Sequence, residues 1–259
     1  MNRTLQSLLL AVYRLIKATG LLATPPGRYL FERAYNAYKT LLEAGPVEQL
    51  RPFVRGGAWV VDVGANVGFF TTRFGGWISG HARVLAIEPE ELNCRRLADA
   101  VARAGLVEKV EIVQGVATDT DGTVPLRINP HHPGDHRMGS GGIPVAAHRL
   151  DTLLTRLGEP DISFIKIDVQ GAEEKVLDGA EATLARTRPA LFVEVHDVAL
   201  RDFGSSAEQL LQRLADMGYR LHLLERHGIS PVLRANDALA RLGPADDYLD
   251  FLCLPDPDG

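Results

Sequence analysis

From about residue 58 the chain alternates short, nearly continuous apolar runs with longer segments of helical spacing. The runs are AWVVDV, ARVLAIE, VEIVQGVA, ISFIKIDV and ALFVEVH, rich in β-branched residues. Such runs read as strands buried on both faces, which a parallel sheet covered by helices requires. Between them, Glu91 to Ala104 (ELNCRRLADAVARA) and Ala172 to Arg186 (AEEKVLDGAEATLAR) place apolar residues at three- and four-residue steps, and both read as crossover helices. The last third predicts a helix near Ser206 to Met217 and two more strands, YRLHLLE and YLDFLCLP, with Gly228 and a loop between them. No long helix joins these two, so they predict an antiparallel hairpin at one sheet edge. The expected fold class is α/β, with a mostly parallel seven-stranded sheet.

Two stretches break this rhythm. Residues 1–50 predict a helical arm of two helices, interrupted at Thr24 to Gly27 by Pro25 and Pro26, with residues 51–259 as a single domain. NPHHPGDHRMGSGG, from Asn129 to Gly142, is rich in Gly, His and Pro and reads as a long mobile loop.

Composition narrows the function classes. With 259 residues the chain buries one sizeable core, and 46% hydrophobic with 24% charged residues is ordinary for a globular protein. The net charge of -5, with arginines scattered among acids, argues against nucleic acid as a partner. Cys94 and Cys253 have no metal-type or disulfide spacing, and a reducing cytoplasm is the expected setting. In the arm, LQSLLLAVYRLIKATGLLA carries Arg14 and Lys17, which argues against a stable membrane span. A packed helix, and with it a homodimer contact through the arm, is favoured over a membrane-surface role.

In an open α/β sheet, ligands bind beyond the carboxyl ends of the strands, so the residues ending these runs should carry the chemistry. The first run leads into Asp62, Gly64, Asn66 and Gly68. Glycines there let backbone approach a ligand, and the amides of the following helix start attract a carboxylate. Asp62 would face the ammonium of an amino-acid ligand, directly or through water. The Gly-x-Asn-x-Gly spacing lacks the third glycine of the dinucleotide fingerprint, and no Gly-Lys-Ser/Thr follows, which disfavours a pyrophosphate. Glu88 ends the second run at the distance where an acid accepts ribose hydroxyls, and Pro89 turns the chain away; a helix-dipole charge is the alternative role for Glu88. Gly115, Val116 and Ala117 are small enough to line an adenine slot, although a plain strand-to-loop turn explains them equally well. Asp119 and Asp121 read as turn formers with Gly122.

In this order the motifs DVGANVGFFT, AIEPE, IKIDVQGAEEKVLDGA and LFVEVH resemble the FkbM family of methyltransferases, over roughly Trp59 to His196. The family's first motif falls on Asp62, Gly64, Ala65, Asn66 and Gly68, its ribose acid on Glu88, and its Lys-Ile-Asp-Val-Glu-Gly-Ala-Glu signature on Lys166 to Glu173. Gln170 stands where the family more often has Glu, which argues against an indispensable acid or metal ligand at that position. The resemblance implies a Rossmann-like class I methyltransferase fold, S-adenosylmethionine as donor, and oxygen methylation of a small-molecule or glycan acceptor such as a sugar or secondary metabolite.

Methyl transfer needs the donor carbon in line with the acceptor atom, and positioning alone supplies roughly 7–11 kcal/mol. A hydroxyl acceptor also needs a proton acceptor. Asp168, Glu194 and His196 are expected to meet at the fourth and fifth strand ends. There His196 is the candidate base, Glu194 its orienter or a hydroxyl acceptor, and Asp168 a contact to the methionine ammonium or the acceptor. The same acids offer oxygen ligands to Mg2+, and the residues do not decide between the two chemistries. Glu173 and Glu174 read as first-turn helix acids. His131, His132, Asp135 and His136 lie in the long loop, a candidate lid touching the substrate, and His136 is a second candidate base. The alternatives are an N-methyltransferase of the same fold, an NAD-dependent oxidoreductase and a non-catalytic binding protein.

Overall fold

The computed structural model describes residues 46–127, 137–138, 142–226, 228–242 and 248–257, with 137–138 described as backbone only. Residues 1–45 of the expected helical arm, His131, His132, Asp135 and His136 therefore lie outside the described residues. By its contacts the chain divides into two compact units, residues 1–49 with 226–228, and residues 50–225 with 229–259. The second unit carries the sheet and the cleft.

Along the chain, β1 (Trp59–Val63) leads into α1 (Phe69–Trp77), then β2 (Val84–Glu88), α2 (Glu91–Arg103), β3 (Val110–Gln114) and β4 (Val116–Ala117). After them come β5 (Gly122–Arg127), β6 (Arg137–Met138), β7 (Ile143–His148), α3 (Leu150–Arg156) and β8 (Ile162–Ile167). Then follow α4 (Glu173–Asp178), α5 (Glu181–Thr187), β9 (Ala190–Val195), α6 (Asp197–Asp202) and α7 (Ala207–Asp216). The chain closes with β10 (Tyr219–Glu225), β11 (Gly228–Ile229), α8 (Ala235–Leu239) and β12 (Leu249–Pro255).

The main sheet has the order β11-β10-β12-β9-β8-β1-β2-β3. Its centre, from β9 to β3, is parallel, while β12 runs antiparallel to both β9 and β10. This is the Rossmann-like arrangement with antiparallel edge strands that the resemblance implies. The seven expected strands are present, with the two-residue β11 added at the edge. Burial explains the sequence pattern: β8 is buried at every position, whereas β10 alternates because one face of an edge strand stays open.

Strand parity decides what each face carries. Asp62 of β1 is paired with Lys166 of β8, and Lys166 with Phe192 of β9. Asp62, Phe164, Lys166, Phe192 and Glu194 therefore point to one side, where α1 lays Phe70 against Phe192 and Phe74 against Phe164, each at 5.5 Å between ring centroids. The other side carries Val61, Val63, Ile165, Ile167 and Val193, packed with Leu177, Leu184, Leu210 and Leu214 from the helices. Ser206 caps α7 by accepting the backbone N–H of Gln209, which starts the helix where its apolar stripe begins.

Three features differ from the expectation. The segment Ala172 to Arg186 is two helices, not one, because the chain bends at Gly179. A Cβ there would come within 2.1 Å of the Thr118 carbonyl oxygen, and the Gly179 carbonyl accepts the N–H of Asp151. The VEIVQGVA run divides at Gly115 into β3 and β4. Finally, β4, β7, β5 and β6 form a separate four-stranded sheet, with Leu126, Val116 and Ala147 as its small core. Pro125 and Pro144 face each other in that sheet, and proline within a run hides a strand from sequence inspection. β6 falls inside the stretch read as a loop.

Candidate functional site

A cleft opens at the carboxyl ends of the central strands. Its wall is built from Gly64 and Asn66 after β1, Glu88 and Pro89 at the end of β2, Gly115, Val116 and Ala117 beyond β3, Leu126 of the small sheet, and Asp168, Gln170 and Ala172 after β8. Gly64, Asn66, Glu88, Pro89, Val116 and Asp168, all expected from the sequence, thus come together. Asp62, Gly68, Glu194 and His196 do not line this wall, and each has a different surrounding.

The turn after β1 is shaped by three positive-φ residues, Gly64 (77°), Asn66 (48°) and Gly68 (91°). At Gly64 a Cβ would fall 1.9 Å from the carbonyl oxygen of Asp168, so this turn presses directly on the chain leaving β8. At Gly68 the obstacle is Leu97 of α2, at 2.7 Å, so that glycine serves the contact between α1 and α2. The N–H groups of Gly64 and Ala65 both donate to the Ile87 carbonyl, each at 3.0 Å. Asn66 N–H donates to Glu88 Oε2 at 2.9 Å. The first amides of the turn are thereby tied to the end of β2.

Glu88 is almost fully buried, and its other oxygen accepts from the Glu90 N–H at 3.1 Å and from Asn93 Nδ2 at 3.2 Å. Its orientation is set by a backbone turn on one side and a helix side chain on the other. The nearby Cys94 thiol donates to the Glu88 carbonyl, and burial, together with Glu88, Glu90 and Glu91, pushes its pKa up to about 12. A thiol so shifted stays protonated and is a poor nucleophile.

Beneath the cleft lies an ion cluster whose centre the sequence reasoning gave no role. Lys166 is 1% exposed; its Nζ donates to the carbonyl oxygens of Gly64, at 2.6 Å, and Val63, at 3.2 Å. The same nitrogen stands 3.4 Å from Asp62 Oδ1 and 3.4 Å from Asp168 Oδ2, and 5.3 Å from the Phe70 ring centroid. Burial alone would lower the ammonium's pKa, but Asp168, then Asp62 and Glu194, outweigh it and hold it above the ordinary lysine range. Asp62 is fully enclosed, with Thr71 Oγ1 donating to its Oδ2 at 2.5 Å, so its charge reaches the cleft through Lys166. A charged residue in the buried, mostly apolar run ISFIKI is the available signal.

The chain leaving β8 is fixed by a second network. Gln170, at φ 56°, donates through Nε2 to Asp168 Oδ1 at 3.1 Å and to Glu194 Oε1 at 3.0 Å. Glu194 is joined to the cleft wall by this amide. Gly171, at φ 105°, packs against the Ala199 carbonyl, and its N–H donates to Glu173 Oε1 at 3.0 Å. Burial pushes Glu173 up to about 7, against the stabilising Gly171 N–H and with Asp168 adding repulsion. Glu173 Oε2 is enclosed with no hydrogen-bond partner among the described residues. Glu174, its neighbour in the first turn of α4, pairs with Arg213 at 2.6 Å. His196 precedes α6, and its Nε2 is likewise enclosed without a partner among the described residues.

The arrangement offers oriented carboxylates, a buried lysine beneath them and apolar lining from Val116, Ala117 and Leu126. It suits a ligand with hydroxyl and ammonium donors at one end and a flat apolar ring at the other. Among the described residues, no group of three or more His, Cys, Asp or Glu side chains forms a metal site, and no helix is long and apolar enough to cross a membrane.

Comparison with known proteins gives the same direction. The family model described as Methyltransferase FkbM domain matches residues 62–221. Methyltransferase sdnD of Sordaria araneosa is 27% identical, with 48% of this chain and 60% of that protein covered. The chain thus spans less than two thirds of that curated relative. Among solved structures, a methyltransferase FkbM from Methylobacillus flagellatus KT is similar with 16% identity and a TM-score of 0.48, over 76% of this chain and 43% of that one. A precorrin-6y C5,15-methyltransferase from Geobacter metallireducens GS-15 is similar with 12% identity and a TM-score of 0.46, over 82% and 86%. The matched segment begins at Asp62 and carries the turn, Glu88 and the β8 end, and the chain belongs to the family of the Methyltransferase FkbM domain.

Proposed function

We propose that this chain is an S-adenosylmethionine-dependent methyltransferase that methylates a hydroxyl of a sugar, glycan or secondary metabolite. The observation that carries the reading is Glu88, held by the Asn66 N–H and by Asn93 in the same cleft wall as Asp168. The residues present fit the donor. Glu88 is a carboxylate for ribose hydroxyls, Asp168 an acid for the methionine ammonium, and Val116, Ala117 and Leu126 an apolar wall for adenine. The turn at Gly64, which has no room for a Cβ against the Asp168 carbonyl, sets its backbone beside Asp168 in the cleft wall.

When bound, S-adenosylmethionine supplies an electrophilic methyl group on a sulfonium. The protein's own part is to orient the acceptor, exclude water and take a proton. Glu194, held together with Asp168 by Gln170, is proposed as an acceptor of the substrate's hydroxyl hydrogens. His196, which follows β9 two residues after Glu194, is proposed as the general base.

Calorimetry with S-adenosylhomocysteine and with NAD tests the donor: binding of NAD alone overturns the proposal. Incubation with S-adenosylmethionine and a panel of hydroxylated and aminated acceptors, read by mass spectrometry and NMR, tests the rest. Methyl groups found on nitrogen replace the oxygen assignment. Donor binding with no acceptor methylated favours a non-catalytic role.

A further inference from the structure

Gln170 is in an unusual position for a neutral side chain. Its Nε2 donates to one oxygen of Asp168 and to one of Glu194, and the backbone adopts the left-handed region to bring it there. Asp168 and Glu194 come from different strands, so the amide is a cross-link between the ends of β8 and β9. The second oxygen of Asp168 faces Lys166, whose ammonium also faces Asp62. Lys166 thus faces Asp62 and Asp168 directly, and Glu194 adds to the field that holds its charge.

A primary amide has two N–H donors on one nitrogen and can bridge two carboxylates without adding charge. A divalent cation performs the same service with oxygen ligands, commonly one or two carboxylates. A carboxylate at position 170 has no hydrogen to donate and would set a third acid beside these two, a repulsion that a proton or a cation relieves.

We propose that Gln170 is a positioning residue whose amide occupies the place of a bridging cation between Asp168 and Glu194, so that this cleft holds its two acids in register without a metal. The inference rests on the same cleft assigned above to methyl transfer. Its test reads cation binding and amide protection, which give an answer even where methyl transfer fails.

The experiment titrates Mn2+ alone into the wild-type chain and into Gln170→Glu, following the loss of the free-ion signal by electron paramagnetic resonance. Gln170→Glu is expected to bind Mn2+ about tenfold or more tightly than wild type, and the added Asp168→Asn change is expected to abolish the gain. A folded Gln170→Glu that binds no better than wild type overturns the proposal. So does wild-type binding that disappears with Asp168→Asn, because the amide would then not stand in a cation's place. If Gln170→Glu does not fold, the wild-type chain still decides. The Gln170 side-chain amide protons are expected to exchange slowly in NMR and to lose that protection in Glu194→Ala, which removes the acceptor; protons exchanging as in a free glutamine overturn the bridge.

Discussion

The Nζ of Lys166 lies 2.6 Å from the carbonyl oxygen of Gly64 and 3.4 Å from Asp168 Oδ2, joining the turn after β1 to the chain leaving β8. Two loops that line one cleft are held by a single buried charge. Whatever fixes that charge fixes the spacing of the cleft.

Lys166→Met removes the ammonium and leaves Asp62 buried without its cation. The expected loss is about 3–5 kcal/mol, read as a lower urea midpoint. Adding Asp62→Asn to Lys166→Met is expected to recover part of it, because the uncompensated charge is gone. Equal instability of the single and double variants would show that Asp62 is not the reason for the lysine.

Glu173 gives stability a pH dependence of known sign. Its folded pKa of about 7 lies above the ordinary glutamate value of 4.5. The folded state therefore binds the proton more tightly, and stability falls as pH rises through the window from about 4.5 to 7, then levels off. From the size of that shift the span is roughly 3 kcal/mol. Glu173→Gln is expected to flatten the profile, with thermal midpoints above wild type at pH 8 and similar to it at pH 5. A profile of unchanged slope in the variant would place the titration elsewhere.

Gly64→Ala forces a methyl group onto the Asp168 carbonyl at a positive φ. Strain of at least about 1–3 kcal/mol is expected, with the turn displaced from the cleft. Calorimetry at low temperature should show S-adenosylhomocysteine affinity falling more than the folded fraction does.

Glu88→Gln replaces an acceptor oxygen by an NH2 facing N–H groups of Asn66 or Glu90. Loss of charge-assisted hydrogen bonds of about 1.5–3 kcal/mol corresponds to roughly tenfold to a hundredfold weaker S-adenosylhomocysteine binding. Unchanged affinity in a folded variant would remove Glu88 from the ribose site.

His196→Ala is expected to lower kcat more than it changes donor affinity, once an acceptor is identified. A variant with wild-type kcat would leave the proton to Asp168 or Glu194.

Much of the architecture was open to inspection along the chain. Central strands are buried on both faces and so read as unbroken apolar runs, while the edge strand β10 alternates. Glu88 was legible because it ends a run just after the glycine turn. The helix break at Gly179 was not, since the residue that demands it, Thr118, lies 61 positions away in the chain and is known only from the packing. The small sheet was hidden by Pro125 and Pro144 and by largely exposed positions in β5 and β7.

By itself the sequence determined the α/β alternation, the edge hairpin and the row of polar residues at the strand ends, because each follows from periodicity within one element. Only the tertiary structure decided what those residues do for one another. It set Lys166 beside Asp62 through the register of β1 and β8, and it enclosed Asp62 behind that lysine. It also tied Glu194 to Asp168 through Gln170. Hydrogen bonds and ion pairs depend on distances of a few ångströms between elements far apart in sequence, and a linear pattern carries no record of that register.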